Sequence, residues 1–328
     1  MPERPRALFA MTKRNIPHLF PAGVMDRLRA CVDIDPTTVA EDLSDPAVRA
    51  ALARTEVLIT GWGAPVLDEA ALAAAPRLRA VLHAAGSVKA FTTDAVWRRG
   101  IAVSSAAAAN AVPVAEYTLA MILLTGKDAL ARGGPGRDAV APGVGNLGRR
   151  VGVVGASRVG RRLLELLRPF DLRVSLADPY VDAAEADRLG VRLLPLDELL
   201  RDSDVVTLHA PDTAETRHLI GARELALMPT GAVLINTARG ALLDHGALIA
   251  QLRAGRLTAV LDVTDPEPLP PDSPLRTLPN VHLTPHVAGS QGNELARLGT
   301  LVAQEAERLT TGRPLTHAIT PETLPRTA

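Results

Sequence analysis

Short apolar runs alternate with helix-like segments from the first residues onward. ALFAM (7–11), VLITG (57–61), AVLHA (80–84) and IAVSS (101–105) are bounded by polar, Gly or Pro positions, and runs of this length and composition predict buried strands. Strands separated by helical segments imply βαβ units and a parallel sheet. A long helix is predicted over residues 111–130, and the Gly- and Pro-rich stretch 131–148 that follows reads as a linker or loop. A second series starts at RVGVVG (150–155) and continues through RVSLAD (173–178), DVVTLHA (204–210), AVLINTA (232–238), TAVLDVT (258–264) and NVHLTP (280–285). It predicts a second doubly wound sheet. A final helix is expected over roughly residues 291–311, ahead of a polar, Pro-containing tail.

A chain of 328 residues exceeds what one core usually supports, which favours two domains. With 36 basic and 36 acidic residues the formal net charge is zero, so no summed field draws the chain to nucleic acid or an anionic membrane. The four Phe, two Trp and two Tyr are scattered and offer no stacking platform for bases. Cys31 has no second cysteine to pair with, and the opening MPERPRALFAMTKRNIPHLF holds no apolar stretch suited to a secretory signal. A cytoplasmic protein is expected. The most apolar helical window, 115–125, is too short to span a membrane, so no membrane segment is expected either. The eight histidines are dispersed and form no ligand pair, which argues against a metal.

The segment VGVVGASRVGRRLLELL has the form of a strand, a tight turn and a helix start, and the next strand ends in Asp178. In a dinucleotide-binding unit the first glycine permits the turn, the second lets the backbone approach the pyrophosphate, and the third lets helix and strand pack. An acid about 20 residues on takes the ribose hydroxyls. Gly155 and Gly160 fill the first and third places, and Ser157 occupies the second. A serine there either holds the phosphates further off or donates its hydroxyl to them. Asp178 reads either as the ribose ligand, which would favour NADH over NADPH by repelling a 2′-phosphate, or as a helix N-cap.

Three later segments lie at strand ends of the second sheet, where open α/β folds bind ligands. They are INTARG with Arg239, LDVTDPEP with Asp262 and Glu267, and LTPHVAGS with His286. Reduction of a 2-oxo acid needs a forked cation for the carboxylate and a proton donor that works near neutral pH, with a carboxylate to orient it. Each residue also has a plain reading as an ion-pair partner, a solvated charge or a turn residue. Their occurrence at successive strand ends favours the chemical one.

These segments, with DVVTLHAP, GAVLINTARGALLD and LDVTDPEPLPPDSPL, resemble the D-isomer-specific 2-hydroxyacid dehydrogenase family over nearly the whole chain. The resemblance implies a flavodoxin-like substrate domain (1–106 plus 290–328), a Rossmann NAD-binding domain inserted between its halves (107–289), and an active-site cleft between the two. It implies that Arg239 binds the substrate carboxylate, that His286 is the acid/base and that Glu267 is its partner. Gly155, Ser157, Arg158, Val159 and Gly160 would face the pyrophosphate and Asp178 the ribose. His209, Ala210 and Pro211 would lie near the adenine. Thr237 and Ala238 would line the nicotinamide, and Asp262 would hold its carboxamide. In the first domain, Gly86 and Ser87 of AAGSVK match the loop that grips the carboxylate. Val88 and Lys89 stand where the family has Asp or Asn, so Lys89 either recognises a second anionic group on the substrate or is a solvated lysine at a helix start. Trp62 either caps the site or packs on the sheet.

The wide apolar face of the long helix, at Val114, Leu119, Ile122 and Leu123, fits either a homodimer interface, as in the family, or packing between domains. The expected function is NAD-dependent interconversion of a small D-2-hydroxy acid and its 2-oxo acid. A glutamate at 267 argues against the formate dehydrogenase branch, which has glutamine there. The alternative is an NAD(H)-sensing interaction protein like the family's corepressors.

Overall fold

Neighbouring residues in the first three strands enter two different cores, because successive side chains of a strand point to opposite faces. Phe9, Ile59 and Leu82 pack in one and Leu8, Leu58 and Val81 in the other. A sheet buried on both faces needs strands that are apolar throughout. This is why the predicted runs are continuous rather than alternating. The computed structural model describes residues 3–130 and 145–326, so most of the linker predicted over 131–148 lies outside the described residues.

The chain divides into two units, Met1–Asn110 with Ser290–Ala328, and Ala111–Gly289. The first holds β1 (Ala7–Ala10), β2 (Val57–Thr60), β3 (Ala80–His83) and β4 (Ala102–Ser105), parallel and in that order, with Ala318–Ile319 antiparallel on β4. Among the described residues, isolated parallel bridges join Arg6, just before β1, to Asp33 and Phe9 of β1 to Val39. The helices Ala22–Cys31 and Leu295–Thr310 supply Leu28, Leu298 and Val302 to one face.

The second unit holds β5 (Arg150–Val154), β6 (Arg173–Ala177), β7 (Arg192–Leu193), β8 (Val205–Leu208), β9 (Val233–Asn236), β10 (Thr258–Leu261) and β11 (Val281–Leu283). All are parallel, in the order β11-β10-β9-β8-β5-β6-β7. The chain starts in the middle at β5 and reverses direction between β5 and β8. At such a switch point the loops leave the strand ends on opposite sides and open a crevice. Val154, Leu208 and Leu234 fill one face and Val153, Ile235 and Val260 the other.

Three expectations are corrected. The long helix spans Ala107–Gly126 rather than 111–130. Its alanine-rich start already favours helix, and the chain turns away at Asp128, whose φ is 53°. At 20 residues with mean hydropathy 1.5, it is long and apolar enough to cross a membrane by length and composition, so the shorter 115–125 window understated it. Its Ala109, Ala115 and Ile122 are core residues of the two units, and core helices pass the same test. The last helix begins at Leu295, after a tight turn at Gly292–Glu294 opened by Gly292 at φ 51°.

Candidate functional site

The turn after β5 is built so that only glycine fits at its two ends. Gly155 has φ 100°, and a Cβ there would lie 2.6 Å from the Ala210 nitrogen; at Gly160 it would lie 2.1 Å from the Gly155 oxygen. The turn is thereby pressed against the 209–211 loop that follows β8. Ser157 caps the helix Arg158–Leu167, its Oγ accepting from Gly160 N–H at 3.3 Å. Helix geometry leaves the Arg158 and Val159 N–H groups with no intrahelical acceptor, and these can take an anionic oxygen.

Asp178 is not a helix cap: the next helix is capped by Asp182. Its carboxylate accepts from Ala156 N–H at 2.7 Å and from Tyr180 N–H at 2.8 Å, which ties the glycine turn to the end of β6. One further lone pair on each oxygen is left for hydroxyl donors. His209, expected beside the adenine, is buried under the turn with Nε2 2.9 Å from the Thr207 hydroxyl, and burial pushes it down to about 3. The turn, the free first-turn N–H groups and the carboxylate together fit a dinucleotide.

Two strands further along, Asn236 is fully buried and shapes the turn carrying Arg239. Its amide donates to the Arg239 carbonyl at 2.9 Å and its oxygen accepts from Ala238 N–H at 3.1 Å. Gly240 lets this turn lie against the backbone at Thr264, since a Cβ there would sit 2.0 Å from the Thr264 carbonyl carbon. The Arg239 side chain donates only to the Ala238 carbonyl and makes no ion pair among the described residues. Burial pushes the guanidinium below its ordinary value, and the Asp212 and Glu267 carboxylates oppose that. A half-buried guanidinium without a paired carboxylate attracts an anion. Thr237, expected at the nicotinamide, is buried with its hydroxyl 2.9 Å from that of Thr118 on the long helix.

His286 Nδ1 and Glu267 Oε1 are 2.6 Å apart, with half of the imidazole and 42% of the glutamate side chain exposed. A carboxylate only accepts, so Nδ1 carries the hydrogen and Nε2 is left to exchange a proton. The His286 backbone is left-handed at φ 56°, a conformation that persists in a non-glycine residue only where its surroundings enforce it. Asp262 does the enforcing. Its carbonyl accepts from His286 N–H at 2.9 Å, and its carboxylate accepts from Val287 N–H at 2.8 Å, Ala288 N–H at 2.9 Å and the Thr284 hydroxyl at 2.6 Å. At 2% exposure, Asp262 commits three of its carboxylate acceptor sites to its own chain and keeps one on Oδ2.

In the first unit, Gly86 and Ser87 follow β3 above a buried histidine. His83 Nδ1 lies 2.9 Å from the Thr60 hydroxyl, its ring stacks 4.8 Å from Phe91, and it bonds the Ser87 backbone. Lys89 lies in a turn, exposed, and donates to the Pro325 carbonyl at 3.1 Å rather than starting a helix. Trp62 is 42% exposed beyond β2. Among the described residues no group of three His, Cys, Asp or Glu is arranged to hold a metal. Sequence reasoning missed Asn236, Tyr117, Thr118 and Thr284, whose partners lie far along the chain or on backbone atoms.

Residues 124–288 match the family described as D-isomer specific 2-hydroxyacid dehydrogenase, NAD binding domain. The chain is 30% identical over 309 residues to D-3-phosphoglycerate dehydrogenase of Methanocaldococcus jannaschii, covering 92% of this chain and 58% of that one. It is 35% identical over 255 residues to glyoxylate reductase of Aeropyrum pernix, covering 74% of this chain and 76% of that protein. A phosphoglycerate oxidoreductase from Rhizobium etli superposes with a TM-score of 0.81 at 25% identity, over 98% of this chain and 100% of the other. The chain spans about half the length of the phosphoglycerate dehydrogenases it matches. Matched over half its length by the family pattern and along most of a 35%-identical relative, the chain belongs to the D-isomer specific 2-hydroxyacid dehydrogenase family.

Proposed function

We propose that this chain is an NAD-dependent oxidoreductase that interconverts a small D-2-hydroxy acid and its 2-oxo acid. The observation that carries the reading is the 2.6 Å His286–Glu267 pair in the same unit as an Arg239 that has no ion-pair partner among the described residues. When bound, NAD supplies the hydride donor or acceptor at its nicotinamide ring. Arg239 holds the substrate carboxylate with its guanidinium fork, and Gly86 and Ser87 are the substrate-binding residues of the first unit. His286 Nε2 gives a proton to the C2 oxygen in reduction and takes it back in oxidation, while Glu267 fixes the ring through Nδ1. Residues 107–289 hold the dinucleotide, and 1–106 with 290–328 hold the acid. Asp178 supports NADH over NADPH because a 2′-phosphate would meet its carboxylate. A homodimer is part of the same reading and is tested by light scattering; on the helix face that suggested it, Val114 and Ile122 are buried and Leu119 packs against the second unit's core, which supports packing within the chain.

The test follows NADH absorbance with glyoxylate, hydroxypyruvate, pyruvate, phenylpyruvate and 2-oxoglutarate, beside His286→Ala and an NADPH control. Turnover should fall 10²–10⁴-fold in the variant, the range typical of general acid–base catalysis. Bound NADH with no turnover across the panel would favour a sensor that acts through protein contacts.

A further inference from the structure

We propose that Tyr117 is a positioning residue for His286, acting through a directed hydrogen-bond chain from its phenol through Thr284 to Asp262; this rests on the acid/base reading of His286. Tyr117 lies in the long helix, half-buried, with its hydroxyl 2.8 Å from Thr284 Oγ1. Thr284 Oγ1 is in turn 2.6 Å from Asp262 Oδ1.

The donor inventory fixes the direction. An ionised carboxylate only accepts, so the single hydroxyl hydrogen of Thr284 goes to Asp262. Thr284 then has only a lone pair to offer Tyr117, so the phenol donates. The chain ends on the carboxylate that also receives Val287 N–H and Ala288 N–H, the two residues that follow His286 with its φ of 56°. Without the phenol hydrogen, Thr284 Oγ1 loses the partner that fixes its rotamer, and its bond to Asp262 weakens because linked hydrogen bonds polarise one another. The adjacent residue repeats the device. Thr118 donates to the Val114 carbonyl at 2.8 Å, so its bond with Thr237 at 2.9 Å must be donated by Thr237. One helix thus braces the ends of β9 and β11, the strands that lead to Arg239 and His286.

A loosened His286 slows proton transfer without weakening the Arg239 grip on substrate, so the effect belongs in kcat. Tyr117→Phe should lower kcat for 2-oxo acid reduction three- to tenfold, with the 2-oxo acid KM and the NADH Kd within twofold of wild type. Thr284→Val should give a similar loss and Thr284→Ser should restore it. Because the chain is serial, Tyr117→Phe combined with Thr284→Val should be no slower than Thr284→Val alone. A Tyr117→Phe kcat within 1.5-fold of wild type overturns the proposal, as do losses that multiply in the double variant. If the wild type binds NADH but reduces no 2-oxo acid, the acid/base reading fails by itself. The chain is then judged from the His286 imidazole ¹⁵N resonances, assigned by comparison with His286→Ala. They should shift in Tyr117→Phe, and unmoved resonances overturn the proposal.

Discussion

Gly155 and Gly160, in the turn and helix start after β5, and Gly86, in the loop after β3, all lie where a ligand is expected, yet their surroundings differ. A Cβ at Gly155 or Gly160 would run into backbone of its own unit at 2.6 and 2.1 Å, whereas at Gly86 the nearest atom would be Asn110 Nδ2 at 3.9 Å. The first two are glycine because the chain packs against itself there. Among the described residues no packing contact requires glycine at Gly86, which leaves its backbone open to the substrate under the proposed function. A glycine-rich motif can thus reflect internal packing in one unit and access in the other.

The largest effect should come from Gly160→Ala. Alanine normally stabilises a helix relative to glycine by about 1 kcal/mol, but here its methyl must displace the Gly155 carbonyl. We expect a net loss of about 3 kcal/mol or more in urea unfolding, from overpacking that the rigid turn cannot relax. A loss below about 1 kcal/mol would break the contrast.

Each loop also rests on a buried neutral histidine, His209 below the glycine turn and His83 below Gly86, and both are pushed down to about 3, chiefly by burial. The unfolded chain binds protons near pH 6.5 where the folded one does not, so stability is held above pH 6.5 and lost as pH falls towards 3. Between pH 7 and pH 5 each should contribute about 2 kcal/mol of loss. His245, lowered mainly by burial, adds in the same direction. Thermal unfolding across this range should show a shallower pH slope in His209→Asn and in His83→Asn. An unchanged slope in either would mean that its imidazole is charged or solvated in the folded state.

Gly86→Ala tests the other half of the comparison. Stability should stay within about 0.5 kcal/mol, as for a substitution that meets no neighbour, while KM for the 2-oxo acid rises about tenfold, equivalent to about 1.4 kcal/mol. A destabilised variant with unchanged KM would reverse the assignment of the two loops.

What could be read from the sequence follows the same division between local and distant causes. Strands announce themselves as apolar runs, most clearly where both faces are buried, so β1 to β4, β5, β6 and β8 to β11 were legible. Arg192–Leu193 and Ala318–Ile319 are two-residue strands set by pairing register alone, and no run marks them. The positions of Arg239, Glu267 and His286 at strand ends were visible because each motif is contiguous. The contacts that hold them were not: Tyr117 meets Thr284 across 167 residues, and spacing cannot reveal such a pair. Asp262 was legible as a strand-end acid, but its engagement with residues 284–288 depends on how β10 and β11 align. Lys89 could be read from the sequence either as an anion ligand or as a solvated lysine, and its bond to the Pro325 carbonyl joins residues 236 apart, which spacing cannot reveal.

The smallest expected effect concerns Ser157, which stands between the two glycines that the packing demands. Its Oγ accepts from Gly160 N–H at 3.3 Å, so the residue acts as a helix cap whether or not a phosphate is near. Replacing a serine cap with alanine costs about 1 kcal/mol, and with glycine only a few tenths, because glycine leaves the N–H groups open to water. Ser157→Gly should therefore leave urea unfolding almost unchanged and NADH Kd within twofold, since the cap hydroxyl keeps its hydrogen free to meet a phosphate oxygen and offsets the added bulk. A fivefold tighter NADH Kd in Ser157→Gly would show instead that the side chain holds the pyrophosphate away. In that case the Ser157 position, unlike its glycine neighbours, would be set by the ligand rather than by the fold.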